Sequence, residues 1–202
     1  MKKLNFKSAI LLGIVVAFFS CDTIQQDPID PRLIKYTETG ERTAAALING
    51  KVWKSELQKG LFGSWRNDLY VSNFPTKDSL ILAFVSNSSS MLFSIKGWGI
   101  QNLEDFERFK NKKIQLDGAI NAGAVVELAP YSISHFSEHP TGIGQIYFKN
   151  IRFVGDSLII SGGFGFREEK NDTVVSYGRF DYILSKTMFK EAANHESQFT
   201  NN

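Results

Sequence analysis

Ser157-Leu158-Ile159-Ile160-Ser161-Gly162-Gly163-Phe164-Gly165-Phe166-Arg167 is the stretch on which the fold turns. Leu158, Ile160, Phe164 and Phe166 fall on one side of an extended chain, and Ser157, Ser161, Gly163, Gly165 and Arg167 on the other. Successive strand side chains point to opposite faces. The period of two therefore predicts a strand with one face in a core and the other toward water. Gly162, Gly163 and Gly165 within it imply a bulge or the close approach of another element. Gly155-Asp156 turns the chain into this strand, and Asn171-Asp172 turns it out again into residues 173–184. In that last strand Phe180, Tyr182 and Leu184 share one face. Tyr177, Arg179 and Asp181 share the other, where Arg179 and Asp181 can pair with each other or with a neighbouring strand.

The same pattern runs upstream. Residues 45–48 and 51–53 flank Asn49-Gly50, which supplies the two positive φ angles of a type I′ hairpin turn. Residues 68–74, 79–86 and 91–98 follow as strands, and 79–86 is apolar on both faces, the pattern of a strand buried on both sides. Further strands are expected over 113–116, 125–128, 131–136 and 145–154. One short helix is expected over 103–110, with Asn102 as its cap, Glu104 and Asp105 at its positive end, and Leu103 and Phe106 toward the sheet. About ten short strands with turns between them predict an all-β fold over residues 44–186, an antiparallel sandwich or a barrel-like sheet. That length suits a single core.

Ahead of this domain come Lys2, Lys3 and Lys7, the 11-residue apolar run from Ala9 to Phe19, then Ser20 and Cys21, the one cysteine of the chain. A membrane-crossing helix needs about 20 apolar residues, so the run reads as a secretory signal. A cysteine straight after the small Ser20 resembles the lipobox of bacterial lipoproteins, with Phe18 where leucine is usual. That resemblance implies loss of residues 1–20 and acylation of Cys21 by a diacylglyceryl group and an amide-linked chain. It also accounts for an unpaired cysteine in an exported protein. Each buried CH₂ contributes about 0.8 kcal/mol, so one chain anchors marginally and several anchor firmly.

Removing residues 1–20 takes three lysines from the 23 basic and 21 acidic residues, leaving 20 and 21, a net charge of −1. The basic isoelectric point of the whole chain therefore carries no message about acidic partners, and nucleic acid is not expected as one. Residues 21–43 are polar, with Asp27-Pro28 and Asp30-Pro31 and no apolar period. They read as the lipidated end and a flexible spacer, its 22 residues spanning on the order of 25 Å. The alternative places residues 33–36 as an edge strand. Residues 187–202 read as a polar tail.

Three motifs bracket the domain: Ile48-Asn49-Gly50-Lys51-Val52-Trp53, then residues 159–166, then Gly178-Arg179-Phe180-Asp181. They resemble a family of uncharacterised lipoproteins of Gram-negative bacteria, with an N-G-K-x-W opening hairpin and a G-R-F-D closing strand. The resemblance implies an all-β domain, lipid-anchored in the cell envelope at the outer membrane, facing the periplasm or the outside. It implies no activity and no catalytic residue.

His135, Glu138 and His139 spell H-x-x-E-H, a metal-binding spacing only on a helix. Pro140 and Gly142 follow at once and 131–136 reads as strand, so these are loop residues. There is no Gly-x-Ser-x-Gly, and Gly142-Ile143-Gly144 lacks the following helix of a phosphate cradle. No metal, cofactor or catalytic set is expected, and the chain reads as something other than an enzyme. Trp65, within a glycine-rich segment, and Trp98, between Gly97 and Gly99, are the candidate ligand-binding residues. Aromatic rings on loops of a β scaffold stack on sugars or apolar ligands, the alternative being that they cap the core. The expected partners are the membrane, through the covalent lipid, and an envelope protein or a glycan or lipid ligand. The expected function is non-catalytic binding, or else a structural place in an envelope complex.

Overall fold

The computed structural model describes residues 30–55, 58–59, 65–66, 68–74, 78–118, 120–127 and 141–186. Among them form β1 (Thr43–Ile48), β2 (Lys51–Lys54), β3 (Gln58–Lys59), β4 (Trp65–Arg66), β5 (Leu69–Phe74), β6 (Ser79–Val85) and β7 (Ser90–Lys96). A short 3-10 helix (Glu104–Phe109) precedes β8 (Lys112–Asp117), β9 (Ala122–Glu127), β10 (Ile143–Val154), β11 (Ser157–Glu168) and β12 (Thr173–Ser185). Six strands build one antiparallel sheet in the order β2-β1-β12-β11-β10-β8, four build a second in the order β5-β6-β7-β9, and β3 pairs with β4. The two larger sheets make a sandwich. The barrel alternative does not hold, because each sheet ends in edge strands, β2 and β8 on one and β5 and β9 on the other.

Local chemistry explains the elements. Asn49 (φ 48) and Gly50 (φ 75) form the β1–β2 turn as their sequence requires. The expected helix over 103–110 is a 3-10 turn. The Asp105 N–H donates to Asn102 Oδ1 at 3.1 Å and Asp105 Oδ2 accepts from the Asn102 N–H at 3.2 Å, a reciprocal pair ahead of the turn, whose cap position is Leu103 and not the expected Asn102. Phe106 and Phe109 are buried beneath it. The strand expected over 125–128 starts earlier, at Ala122. The strand expected over 131–136, the H-x-x-E-H string and the tail 187–202 lie outside the described residues.

The core is an aromatic stack between the sheets. Phe84 of β6 lies 5.7 Å from Phe164, 5.3 Å from Phe180 and 5.5 Å from Tyr182, ring centre to ring centre. Phe93 of β7 meets Phe164 edge-on at 5.1 Å. Such pairs contribute about 0.5–1.5 kcal/mol each beyond the area they bury. The glycine-phenylalanine motifs serve this stack. Across the strands Gly144 faces Phe166, Gly162 faces Phe148 and Phe180, and Gly178 faces Phe164. A Cβ on Gly178 would sit 2.3 Å from the Phe164 ring, and one on Gly162 would sit 1.8 Å from the Tyr147 carbonyl oxygen. Each ring lies in the space its cross-strand glycine leaves open. A register shift also falls between Phe164 and Phe166, where Tyr177 of β12 adopts φ 52, so the glycine-rich stretch has both a bulge and close approaches.

One expectation fails in an informative way. The 157–167 strand is not half-exposed: every residue from Leu158 to Phe166 is buried. Its outward residues Ile159 and Ser161 lie under the chain's own residues 33–42, described next.

Candidate functional site

Residues 33–42 form an arm over the outer face of the six-stranded sheet. Leu33, 5% exposed, packs with Ala45 and Leu47 of β1. The Arg179 guanidinium of β12 donates to the Ile34 carbonyl at 3.1 Å. The Tyr36 hydroxyl donates to Ser161 Oγ of β11 at 3.3 Å. At the far side the Arg152 guanidinium of β10 donates to the Glu38 carbonyl at 3.1 Å, and Lys149 pairs with the Glu38 carboxylate at 3.3 Å. The chain then doubles back. Gly40 takes φ +85, and a Cβ there would lie 3.3 Å from both Ile159 and Ile183.

The centre of this arrangement is Asp181, 2% exposed. It accepts hydrogen bonds from Thr37 Oγ1 at 2.6 Å and from the backbone N–H groups of Thr39 at 3.0 Å, Gly40 at 2.9 Å and Glu41 at 3.3 Å. A carboxylate loses its water on burial and needs donors in return. The arm supplies four. The expectation of a free spacer up to residue 43 therefore does not hold for its described part, which is docked. Nor are residues 33–36 an edge strand, because they cross the sheet's face. Burial pushes the Tyr36 phenol well above its ordinary value of 10, with the neighbouring Glu38 charge acting the same way and the Ser161 hydrogen bond opposing it.

A second polar node closes the arm's other end. Arg42 pairs with Asp68 at 3.0 Å, the carboxylate being almost wholly buried. Tyr182 of β12 donates to Ser55 Oγ at 2.7 Å, and Ser55 Oγ also accepts the Ala44 N–H at 2.8 Å. Burial, helped by the Asp68 charge, pushes the Tyr182 phenol far above its ordinary value. With both lone pairs of the Ser55 oxygen engaged, this group holds β1 and β12 to the segment after β2; it is not set up as a nucleophile.

Of the candidate residues read from sequence, Trp98 is the one whose side chain is among the described residues. Cys21 lies outside the described residues. Trp65 opens β4, and its side chain is likewise outside them. Trp98 is half-buried against the core, its ring centre 4.8 Å from that of Phe109. Arg108 fixes its loop by donating to the Trp98 carbonyl at 2.9 Å, and Asp78 does so by accepting the Gly99 N–H at 2.6 Å. One ring face of Trp98 thus serves packing. Among the described residues no group of three or more His, Cys, Asp or Glu is placed to hold a metal ion. The arm and its Asp181 seat were missed by reading residues 21–43 as spacer. The signal was present: Arg179 and Asp181 on the outer side of a central strand need a cover to be tolerated there. The chain matches no protein-family model, no curated protein and no solved structure.

Proposed function

We propose that this protein is a lipid-anchored β-sandwich of the cell envelope that binds a ligand or partner without chemistry of its own. The observation that carries the reading is the Ser20-Cys21 junction at the end of a lysine-led apolar run in a chain with no other cysteine. The use made of the buried polar side chains supports the second half. Asp68, Arg179, Asp181 and Tyr182 each hold a segment of chain in place. Trp98, with part of its surface open, is the residue to test for ligand contact.

Mass spectrometry of protein extracted from membranes tests the anchor. The expected result is an amino terminus at Cys21 carrying acyl chains, and a bare thiol or an intact Ser20-Cys21 bond overturns it. Thermal shift of the soluble domain against glycan and lipid panels, with Trp98→Ala alongside, tests binding. A role in an envelope complex is the second reading, and Ile120, 74% exposed between β8 and β9, is the position at which to test it. A photo-crosslinker at position 120 capturing one defined envelope protein in intact cells would select it.

A further inference from the structure

We infer that the outer face of the six-stranded sheet is the side this protein turns toward an anionic phospholipid surface. The inference rests on the anchor reading above and adds to it which face meets the headgroups. Three independent observations lead there.

The first is where the chain arrives. Leu33 is seated on that face against Ala45 and Leu47. Nine residue steps separate Cys21 from Asp30, a reach of about 30 Å at full extension. A tether that leaves from this face, beside its β2 edge, favours turning this face rather than the opposite sheet to the bilayer.

The second is charge. Lys54, Lys113, Arg152 and Arg167 by register, and Lys149 by its contacts with Glu38 and Tyr36, fall on this face or its rim. The exposed acids among them include Glu38, paired with Lys149, and Asp172, paired with Arg167. Glu41 of the arm and Asp117, in register with Ile143, are further acids here, so the named residues hold an excess of one positive charge where the mature chain as a whole carries −1 by count. Basic side chains near an anionic surface gain about 1 kcal/mol each.

The third is the pattern of apolar and amphipathic side chains. Of the large apolar residues that stand exposed, Ile143 (52%), Val154 (45%) and Val174 (40%) belong to this face. Ile143 and Val174 flank Arg167 in one cross-strand row. Tyr36 and Tyr147 are half-buried on the same face, each with a lysine ammonium over its ring, Lys149 at 4.7 Å and Lys113 at 5.7 Å. Tyrosine, lysine and scattered aliphatics are the chemistry that settles at a membrane-water interface.

The test uses the full acylated chain reconstituted into vesicles and labelled with a membrane-impermeant amine reagent. In phosphatidylglycerol-rich vesicles, labelling of Lys54, Lys113 and Lys149 should fall roughly fivefold relative to Lys96 of the opposite sheet. High salt should restore it, and pure phosphatidylcholine vesicles should show little protection. Lys54→Glu combined with Lys113→Glu, both at exposed positions, should abolish the protection of Lys149. Equal labelling in detergent and in anionic vesicles, with Cys21 shown to be acylated, overturns the inference and leaves the anchor standing. Protection by an acidic polysaccharide such as polygalacturonate, and none by vesicles, overturns it in favour of a glycan surface. A chain without acyl groups at Cys21 removes the reading underneath.

Discussion

Replacing Asp181 by alanine is the sharpest test of the arm. The substitution takes away the acceptor of four hydrogen bonds, from Thr37, Thr39, Gly40 and Glu41. Hydrogen bonds to a charged group contribute about 1.5–3 kcal/mol each, so a simple sum exceeds 6 kcal/mol. The sum overstates the loss, because the arm can lift and return its donors to water. The ceiling is then the free energy of docking the arm. Burial of Leu33 and of much of Tyr36 contributes about 2–4 kcal/mol to that docking. Asp181→Ala should therefore lower stability by about 3 kcal/mol, a drop in Tm of roughly 6–12 °C for a domain of this size. Asp181→Asn should lie between it and the parent, because an amide can keep its oxygen toward Thr37, Thr39 and Glu41 but then faces the Gly40 N–H with a second donor. Urea unfolding gives the magnitude, and limited tryptic cleavage after Lys35 reports whether the arm has lifted. If Asp181→Ala stays within about 0.5 kcal/mol of the parent and the arm is cut no faster, the carboxylate is not what holds it.

Gly162→Ala should destabilise the fold by about 3 kcal/mol or abolish soluble expression, since its Cβ meets a backbone carbonyl oxygen at 1.8 Å. Gly155→Ala has nothing within 4 Å and only the strain of φ +58, so its Tm should drop much less, reflecting about 1 kcal/mol. Tyr36 and Tyr182 are held in the neutral form, their folded values lying above the unfolded value of about 10. Their contribution to stability is complete below about pH 10 and is lost as pH rises above it. Near-ultraviolet absorbance should show them ionising only together with alkaline unfolding. Asp117 accepts the N–H groups of Asn121 and Ala122 at 2.9 and 3.1 Å, which hold its carboxyl below 3.8. What it adds to stability is present above about pH 4 and lost as pH falls through the lower folded value. A carboxyl-carbon NMR titration should place its midpoint under that of a free aspartate, and a normal midpoint would show that the turn is loose.

The strands were legible because their signals are local. The period of two in β11 and β12 and the Asn49-Gly50 turn both act over a few residues, and the structure places them as read. The doubly apolar character of β6 likewise predicted its burial on both faces. The choice between sandwich and barrel was not legible, because it depends on whether β8 and β2 find partners far along the chain. The arm was hidden for a different reason. Residues 33–42 hold no repeating apolar period, since they are bound by one carboxylate and by main-chain groups. Main-chain donors leave no trace in residue identity. The acceptor did leave one, because Arg179 and Asp181 sit in the middle of a strand where solvent was assumed. For the candidate site, the sequence pointed to Trp98 with core capping as the alternative, and its ring packs on Phe109.

The path of the arm also governs how this domain meets mechanical force. Tension applied on the amino-terminal side meets the seat of Leu33 on Ala45 and Leu47 and then the arm's contacts over β12 and β11 before it can pull along the backbone of β1. The contacts around Asp181 then share the load in parallel and must slip together. An entry directly into the hairpin of β1 and β2 would instead let the edge strand unzip one pair at a time. A pull from the amino-terminal side is thus met first by the arm, ahead of the aromatic stack behind it.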